Sequence, residues 1–206
     1  MAIPMFEGFS LEMATARYKE GQWGEHQIVP TGTIAVHPGA MGIQFGQSAF
    51  EGCRAYTGSE SGNQAFTFRI PDHHQRLIAS CARLCIPPPP RGLFLAAINA
   101  MVGRKESWER PFASETLYIR PVVFGTDNGL IPNPSLNYMF AVLTAPLRPF
   151  QGEGVSLWIE REYSRSARGG LGASKTAANY AHQLSPCVFR RHSSTDSDDI
   201  RAAVPA

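Results

Sequence analysis

Apolar positions change their spacing several times along the chain, and each change predicts an element. Residues 1 to about 30 read as polar and irregular, broken by Gly21, Gly24 and Pro30. Thr33-Ile34-Ala35-Val36 predicts a short strand. Ser48 then caps a short helix in which Ala49, Phe50 and Cys53 repeat at helical spacing. After a Gly/Ser loop at 58–63, Ala65 to Ile70 alternates as a strand does. Pro71-Asp72 opens a helix to about Leu84, with Asp72 as N-cap and Leu77, Ile78, Cys81 and Leu84 on one face. Pro87 to Pro90 form a rigid spacer, and Leu93 to Val102 a second amphipathic helix. Thr116 to Phe124 and Asn137 to Thr144 predict two strands, parted by an Asp127-Asn128-Gly129 loop and by Pro132 and Pro134.

Pro146, Pro149, Gly152 and Gly154 mark a linker over 146–154, which closes an N-terminal domain of residues 1–145. Val155 to Glu160 begin a second unit, 155–190, with a helix from Tyr180 to about Arg190. Residues 191–206 are polar and read as a disordered tail. The second unit is short for a self-supporting core and looks unfinished. Strands and helices segregate rather than alternate in the first unit, so the expected class is α+β.

Composition narrows the function classes. At 43% hydrophobic and 17% charged, the 206 residues read as a soluble globular protein. A net charge of +2 argues against nucleic acid and against an anionic membrane surface as partner. No apolar run reaches transmembrane length, Met1 to Glu7 lack the pattern of a signal peptide, and the cysteine usage suits reduced thiols in a cytoplasmic protein. The spacing of Cys53, Cys81, Cys85 and Cys187 suggests neither a disulfide framework nor a zinc site. Cys81 and Cys85, four apart on the expected helix, read as small apolar residues sharing one side. His73 and His74 are adjacent, so on a helix they point apart, and metal chemistry is not expected.

The stretch richest in chemistry is Gly169 to Tyr180, where Lys175 stands among residues with almost no side chain. Three readings compete. Such a lysine can be an ordinary loop residue. It can belong to a phosphate-cradling loop, although Ser174 stands where that pattern wants glycine and no strand runs straight into the turn. Or it can be a desolvated nucleophile that forms a Schiff base with a flat aldehyde cofactor of the pyridoxal phosphate kind. That cofactor also needs a cation for its phosphate and a hydroxyl for its phenolic oxygen. Arg76 and Tyr180 could supply them.

Four motifs in order support the third reading: Phe45-Gly46-Gln47-Ser48-Ala49-Phe50-Glu51-Gly52 with Arg54-Ala55-Tyr56; His73-His74-Gln75-Arg76-Leu77 with Ser80 and Ala82; Tyr118-Ile119-Arg120-Pro121; and Gly172 to Tyr180. With them the chain, from about Gly32 to about Phe189, resembles the class IV (fold-type IV) pyridoxal phosphate aminotransferases, most closely the branched-chain amino acid aminotransferases. The resemblance implies a complete N-terminal domain and the start of a cofactor-binding second domain. It implies that Lys175 holds the cofactor and shuttles the substrate proton. Arg76 then binds the cofactor phosphate and Tyr180 lies beside its phenolic oxygen. Phe50 walls the apolar pocket, Tyr118 lies near the substrate carboxylate, and Arg120 meets the distal carboxylate of glutamate or 2-oxoglutarate.

The implied reaction is ping-pong transamination of leucine, isoleucine and valine with 2-oxoglutarate, on small amino-acid and 2-oxo-acid substrates, by a homodimer if the chain is completed. Two departures qualify it. Phe45 replaces the tyrosine usual in branched-chain enzymes, and the match stops near Phe189, before the region that carries the family's acid for the pyridine nitrogen. Without that acid the cofactor is a poorer electron sink. The expectation is therefore a branched-chain-type chain cut short in its cofactor domain. The alternatives are a non-catalytic remnant, an aminodeoxychorismate lyase, or a D-amino acid aminotransferase.

Overall fold

A computed structural model describes residues 8–57, 64–109, 113–148 and 164–183. The elements that position the site begin with a hairpin. β1 (Glu12–Lys19) turns into β2 (Gln22–Trp23), and β3 (Gln27–Pro30) folds back beside β1. Residues 12–30 are thus not irregular, and residues 1–7 lie outside the described residues. Glu20 and Gly21 both have positive φ (52° and 82°), the requirement of the two-residue hairpin turn whose twist matches the strands it joins. Gly21 makes a turn rather than a break. Thr33 to Val36, in contrast, joins no ladder among the described residues.

After a short α1 (Met41–Gln44) come β4 (Ser48–Phe50) and β5 (Cys53–Tyr56), where a capped helix is predicted. Both pair antiparallel with β7 (Thr116–Gly125) in one unbroken register: Phe50 opposes Val122 and Cys53 opposes Ile119. The ladder lapses between them because Glu51 lies opposite Pro121, which accepts the Glu51 N–H at 2.8 Å and has none to give in return. Residues 48–56 therefore alternate as a strand. Ala49, Glu51, Cys53 and Ala55 are buried on one side, while Phe50 and Arg54 belong to the other. The long apolar strand β7 offers an edge, and its hydrogen bonds outweigh the helical spacing of three residues.

β7 also pairs along its length with β8 (Tyr138–Pro146), and β8 with β1. The sheet runs in the order β2-β1-β8-β7-β5-β6, with β3 beside β1 and β4 beside β7; β6 covers only Phe66–Thr67 of the strand expected over 65–70. One face carries α2 (Ile70–Ala82), α3 (Arg91–Val102) and α4 (Lys105–Glu109). Leu77, Phe94 and Ile98 from the helices and Leu117, Ile119 and Phe140 from the sheet are fully buried between them. This is the segregated α+β arrangement that the hydrophobic pattern predicts.

Two details at the ends of α2 differ from expectation. Its N-cap is Arg69, in the left-handed region at φ 54°, and Asp72 accepts a 2.6 Å bond from the Arg69 Nε instead of capping. The helix stops at Ala82, so of the two nearby cysteines only Cys81 is buried on it, and Cys85 lies beyond the end, exposed, at φ 54°. Burial pushes the thiols of Cys53 and Cys81 up to about 12, so both stay protonated and pack as apolar groups. The expected linker begins inside β8, which runs through Pro146. Residues 149–163, with the strand expected from Val155, and the tail at 191–206 lie outside the described residues, as does Cys187. Among the described residues no helix is long and apolar enough to cross a membrane.

Candidate active site

The lysine stretch lies along the free edge of β4. Ala49 and Thr176 form an antiparallel bridge, and the Phe50 N–H donates to the Lys175 carbonyl at 3.0 Å. The Lys175 N–H donates in turn to Oγ of Ser80, buried on α2, at 2.8 Å. Asn179 Nδ2 donates to the Leu171 and Ser174 carbonyls, closing the loop on itself. Both sides of the Lys175 peptide backbone are therefore bonded, and Ser174, Thr176 and Asn179 are buried. This is not a solvated loop. The chain leaves Lys175 through a 3₁₀ helix, Ala177–Gln183, rather than the α-helix a phosphate loop requires or the helix expected from Tyr180 to Arg190; residues from 184 lie outside the described residues.

This anchoring brings the Lys175 side chain onto the helix-free side of the sheet. Its Nζ donates to the Tyr180 hydroxyl at 2.9 Å and stands 4.9 Å from the centre of the Phe50 ring. Phe50 and Tyr180 pack with ring centres 5.0 Å apart. The Arg120 guanidinium covers the Phe50 ring at 4.6 Å, and its Nη2 donates to the Tyr118 hydroxyl at 2.6 Å. Strand alternation explains the grouping: Tyr118 and Arg120 leave β7 on the face opposite Leu117 and Ile119. Arg120 Nε is buried without a hydrogen-bond partner among the described residues. Gly52 sits below Tyr118 so closely that a Cβ there would lie 2.3 Å from the hydroxyl.

Arg76 approaches from the helix side. Its Nε and Nη2 donate to the two carboxylate oxygens of Glu51, each at 2.6 Å, and Glu51 Oε2 lies 2.9 Å from Nδ1 of His73. Glu51 hydrogen bonds, chiefly, hold the Arg76 guanidinium in its charged form, and the nearby Tyr180 phenol adds to the effect. Lys175, Tyr180, Phe50, Tyr118 and Arg120 are thus in one chain of contacts, while Arg76 is held by Glu51 and feels the Tyr180 phenol electrostatically.

Burial raises the Glu51 carboxyl, but the Arg76 and His73 hydrogen bonds and the Arg76 charge more than offset it, leaving the group below its ordinary 4.5. A depressed folded-state value contributes stability that is complete above 4.5 and is lost as the pH falls through the folded-state value. Urea midpoints should accordingly fall below pH 4.5 in the wild type, and fall less in Glu51→Gln, when the two are compared across the acid range.

Sequence reasoning assigns no role to Glu51 or Ser80. A period-2 reading of residues 48–56 would expose the first, as the one charged residue in the inward row of Ala49, Cys53 and Ala55. Nothing local marks Ser80, whose partner lies 95 positions away.

Among known proteins, the family model for class IV amino-transferases matches residues 48–185. A branched-chain-amino-acid aminotransferase of Mycolicibacterium smegmatis is 34% identical over 79% of this chain and 45% of its own length. Branched-chain-amino-acid transaminase 1 of Bacillus subtilis is 32% identical over 85% of this chain and 50% of its own. The chain spans about half the length of these relatives. The branched-chain amino acid aminotransferase of Escherichia coli superposes with a TM-score of 0.59 at 25% identity, covering 87% of this chain and 55% of that one. The branched-chain aminotransferase of Thermoproteus uzoniensis, solved with norvaline, gives 0.65 at 20% identity over 89% and 57%. With the matched segment running from β4 through the lysine stretch, the chain belongs to the class IV aminotransferase family.

Proposed function

We propose that this chain provides the lysine half of a pyridoxal phosphate site for transamination of branched-chain L-amino acids with 2-oxoglutarate. One observation carries the reading: the Lys175 amine bonds to the Tyr180 phenol over an aromatic floor, with a guanidinium on the helix side. The donor set fits the cofactor. A primary amine and a phenol are bonded, a cation lies within electrostatic reach of the phenol, and the Arg76 Nη1 has no partner among the described residues. No free acid for a pyridine nitrogen accompanies them there, since Glu51 is engaged by Arg76 and His73.

Pyridoxal phosphate, when bound, supplies the electron sink that lets an amino group pass between an amino acid and a 2-oxo acid. Lys175 Nζ would hold it through its aldehyde. The same Nζ would be the base that moves the substrate's α-proton, and the Tyr180 hydroxyl, 2.9 Å away, would steady the amine. Arg76 would meet the phosphate, and Phe50 would wall the side-chain pocket with apolar surface suited to leucine, isoleucine and valine. Arg120, with its buried Nε unpartnered among the described residues and its Nη2 tied to Tyr118, is prepared for a carboxylate. Ile43, Phe45 and Leu136 are exposed large apolar residues, consistent with a second copy completing the assembly.

The test is purified protein with added pyridoxal phosphate. A borohydride-fixed adduct at Lys175, located by peptide mass spectrometry, supports the site; attachment elsewhere, or none, rejects it. Leucine, D-alanine and aminodeoxychorismate as competing substrates separate the branched-chain reading from its relatives. Gly52→Ala should push Tyr118 and with it Arg120, raising KM for 2-oxoglutarate about tenfold while leaving adduct formation intact.

A further inference from the structure

Half of the Arg76 side chain is exposed, at 52%, whereas the Glu51 carboxylate that it meets is wholly buried. Left alone, an arginine on a helix surface samples many rotamers and points its fork in many directions. Here the fork is held at two points by Glu51, and Glu51 is itself held by His73 at 2.9 Å and by the Gly52 N–H at 3.3 Å. The carboxylate cannot swing away either, because it projects from a strand whose neighbours Ala49, Cys53 and Ala55 are packed in the core. The pair occupies one edge of the guanidinium, Nε with Nη2. Nη1 remains without a partner among the described residues.

We propose that Glu51, braced by His73, is a positioning residue that fixes the direction in which Arg76 presents its remaining N–H groups to a phosphate monoester. The proposal rests on the reading of Arg76 given under Proposed function and goes beyond it by naming the side chains that aim the arginine. Because Glu51 takes the Nε and Nη2 edge, a phosphate approaching Nη1 would meet the guanidinium ahead of the Glu51 charge. The cost of a carboxylate near a phosphate is thereby reduced. A neutral side chain at position 51 would keep the volume but lose the charge-assisted fork, leaving Arg76 free to rotate.

The measurement compares pyridoxal phosphate with pyridoxal, the same aldehyde without the phosphate, by titrating each into the full chain and reading the adduct absorbance. Both can attach to Lys175, and only one can use Arg76. The wild type is expected to prefer the phosphorylated aldehyde. Glu51→Gln should reduce that preference about tenfold by weakening pyridoxal phosphate alone, and Arg76→Lys should reduce it at least as much. A purely structural ion pair predicts otherwise: both aldehydes weaken together, or Tm falls while the preference stands, and either result overturns the proposal. Should Glu51→Gln not fold, Glu51→Asp retains the charge but shortens its reach, and it is expected to lose the preference in part; an unchanged preference again overturns the proposal. Failure of the wild type to form an adduct with either aldehyde overturns the site itself. A wild type that binds both alike removes the phosphate role of Arg76, and with it that of Glu51. A wild-type preference that persists in Glu51→Gln rejects the present inference alone.

Discussion

Lys175→Ala is expected to abolish borohydride-fixed attachment of pyridoxal phosphate and to lower any transamination by about 10²–10⁴-fold or more, since the proposed function assigns the covalent anchor and the proton carrier to one atom. The substitution should leave the fold intact. The Lys175 main chain supplies the bonds to Ser80 and Phe50, and alanine keeps both. Circular dichroism and Tm close to the wild type, together with loss of the adduct, are the expected pair of results. An alanine variant that still forms the adduct would move the chemistry to another amine. Ser80→Ala is the complementary case. It removes the hydroxyl that receives the Lys175 N–H, so the adduct should form more weakly while the amine itself remains.

Phe94→Ala should produce the largest loss of stability. Phe94 is fully buried on α3, its ring 4.8 Å from the His74 ring and 6.2 Å from Phe140 on β8, so it joins two helices to the sheet. Truncating a phenylalanine in such a setting costs about 3–5 kcal/mol through lost burial and the cavity left behind. For a chain of this size that corresponds to a fall in Tm of roughly 10 °C. The cavity adjoins His74, whose Nε2 meets the Pro89 carbonyl at 2.8 Å and ties α2 to the proline spacer. Because α2 also carries Arg76 and Ser80, loosening at Phe94 should reach the site as reduced pyridoxal phosphate affinity. Differential scanning calorimetry and aldehyde titration of the same sample check both parts.

Elements with strong periodicity are legible in the sequence. In α2 and α3 apolar residues recur every third or fourth position, and in β7 every second, so α2, α3, β7 and β8 fall where the pattern puts them to within about two residues. β1 escapes because its inward row includes Ala14 and Ala16, too small to register as a hydrophobic stripe, and because Gly21 reads equally as a break or as a turn. Residues 48–56 imitate a helix for a subtler reason. Ala49, Phe50 and Cys53 satisfy helical spacing, while the acidic residue at 51 hides the strand's inward row. Only an ion pair from a helix distant in sequence makes a charge tolerable there.

The site divides along the same line. Tyr180 and Lys175 are five apart, so their approach is a local matter of one 3₁₀ turn. The association of Arg76, Phe50 and Arg120 with them depends on long-range packing, and the motifs of the family point to these positions where spacing cannot.

The unbroken register of β4 and β5 against Pro121 has a consequence for how this segment can evolve. Phe50 and Glu51 are chain neighbours serving opposite surfaces, one toward the amine and one toward the arginine. Deleting or inserting one residue between Ser48 and Tyr56 would exchange the two surfaces for every residue beyond the change, turning the carboxylate outward and the aromatic ring inward. Homologous chains are therefore expected to vary this stretch by substitution and not by length, which an alignment of them would check.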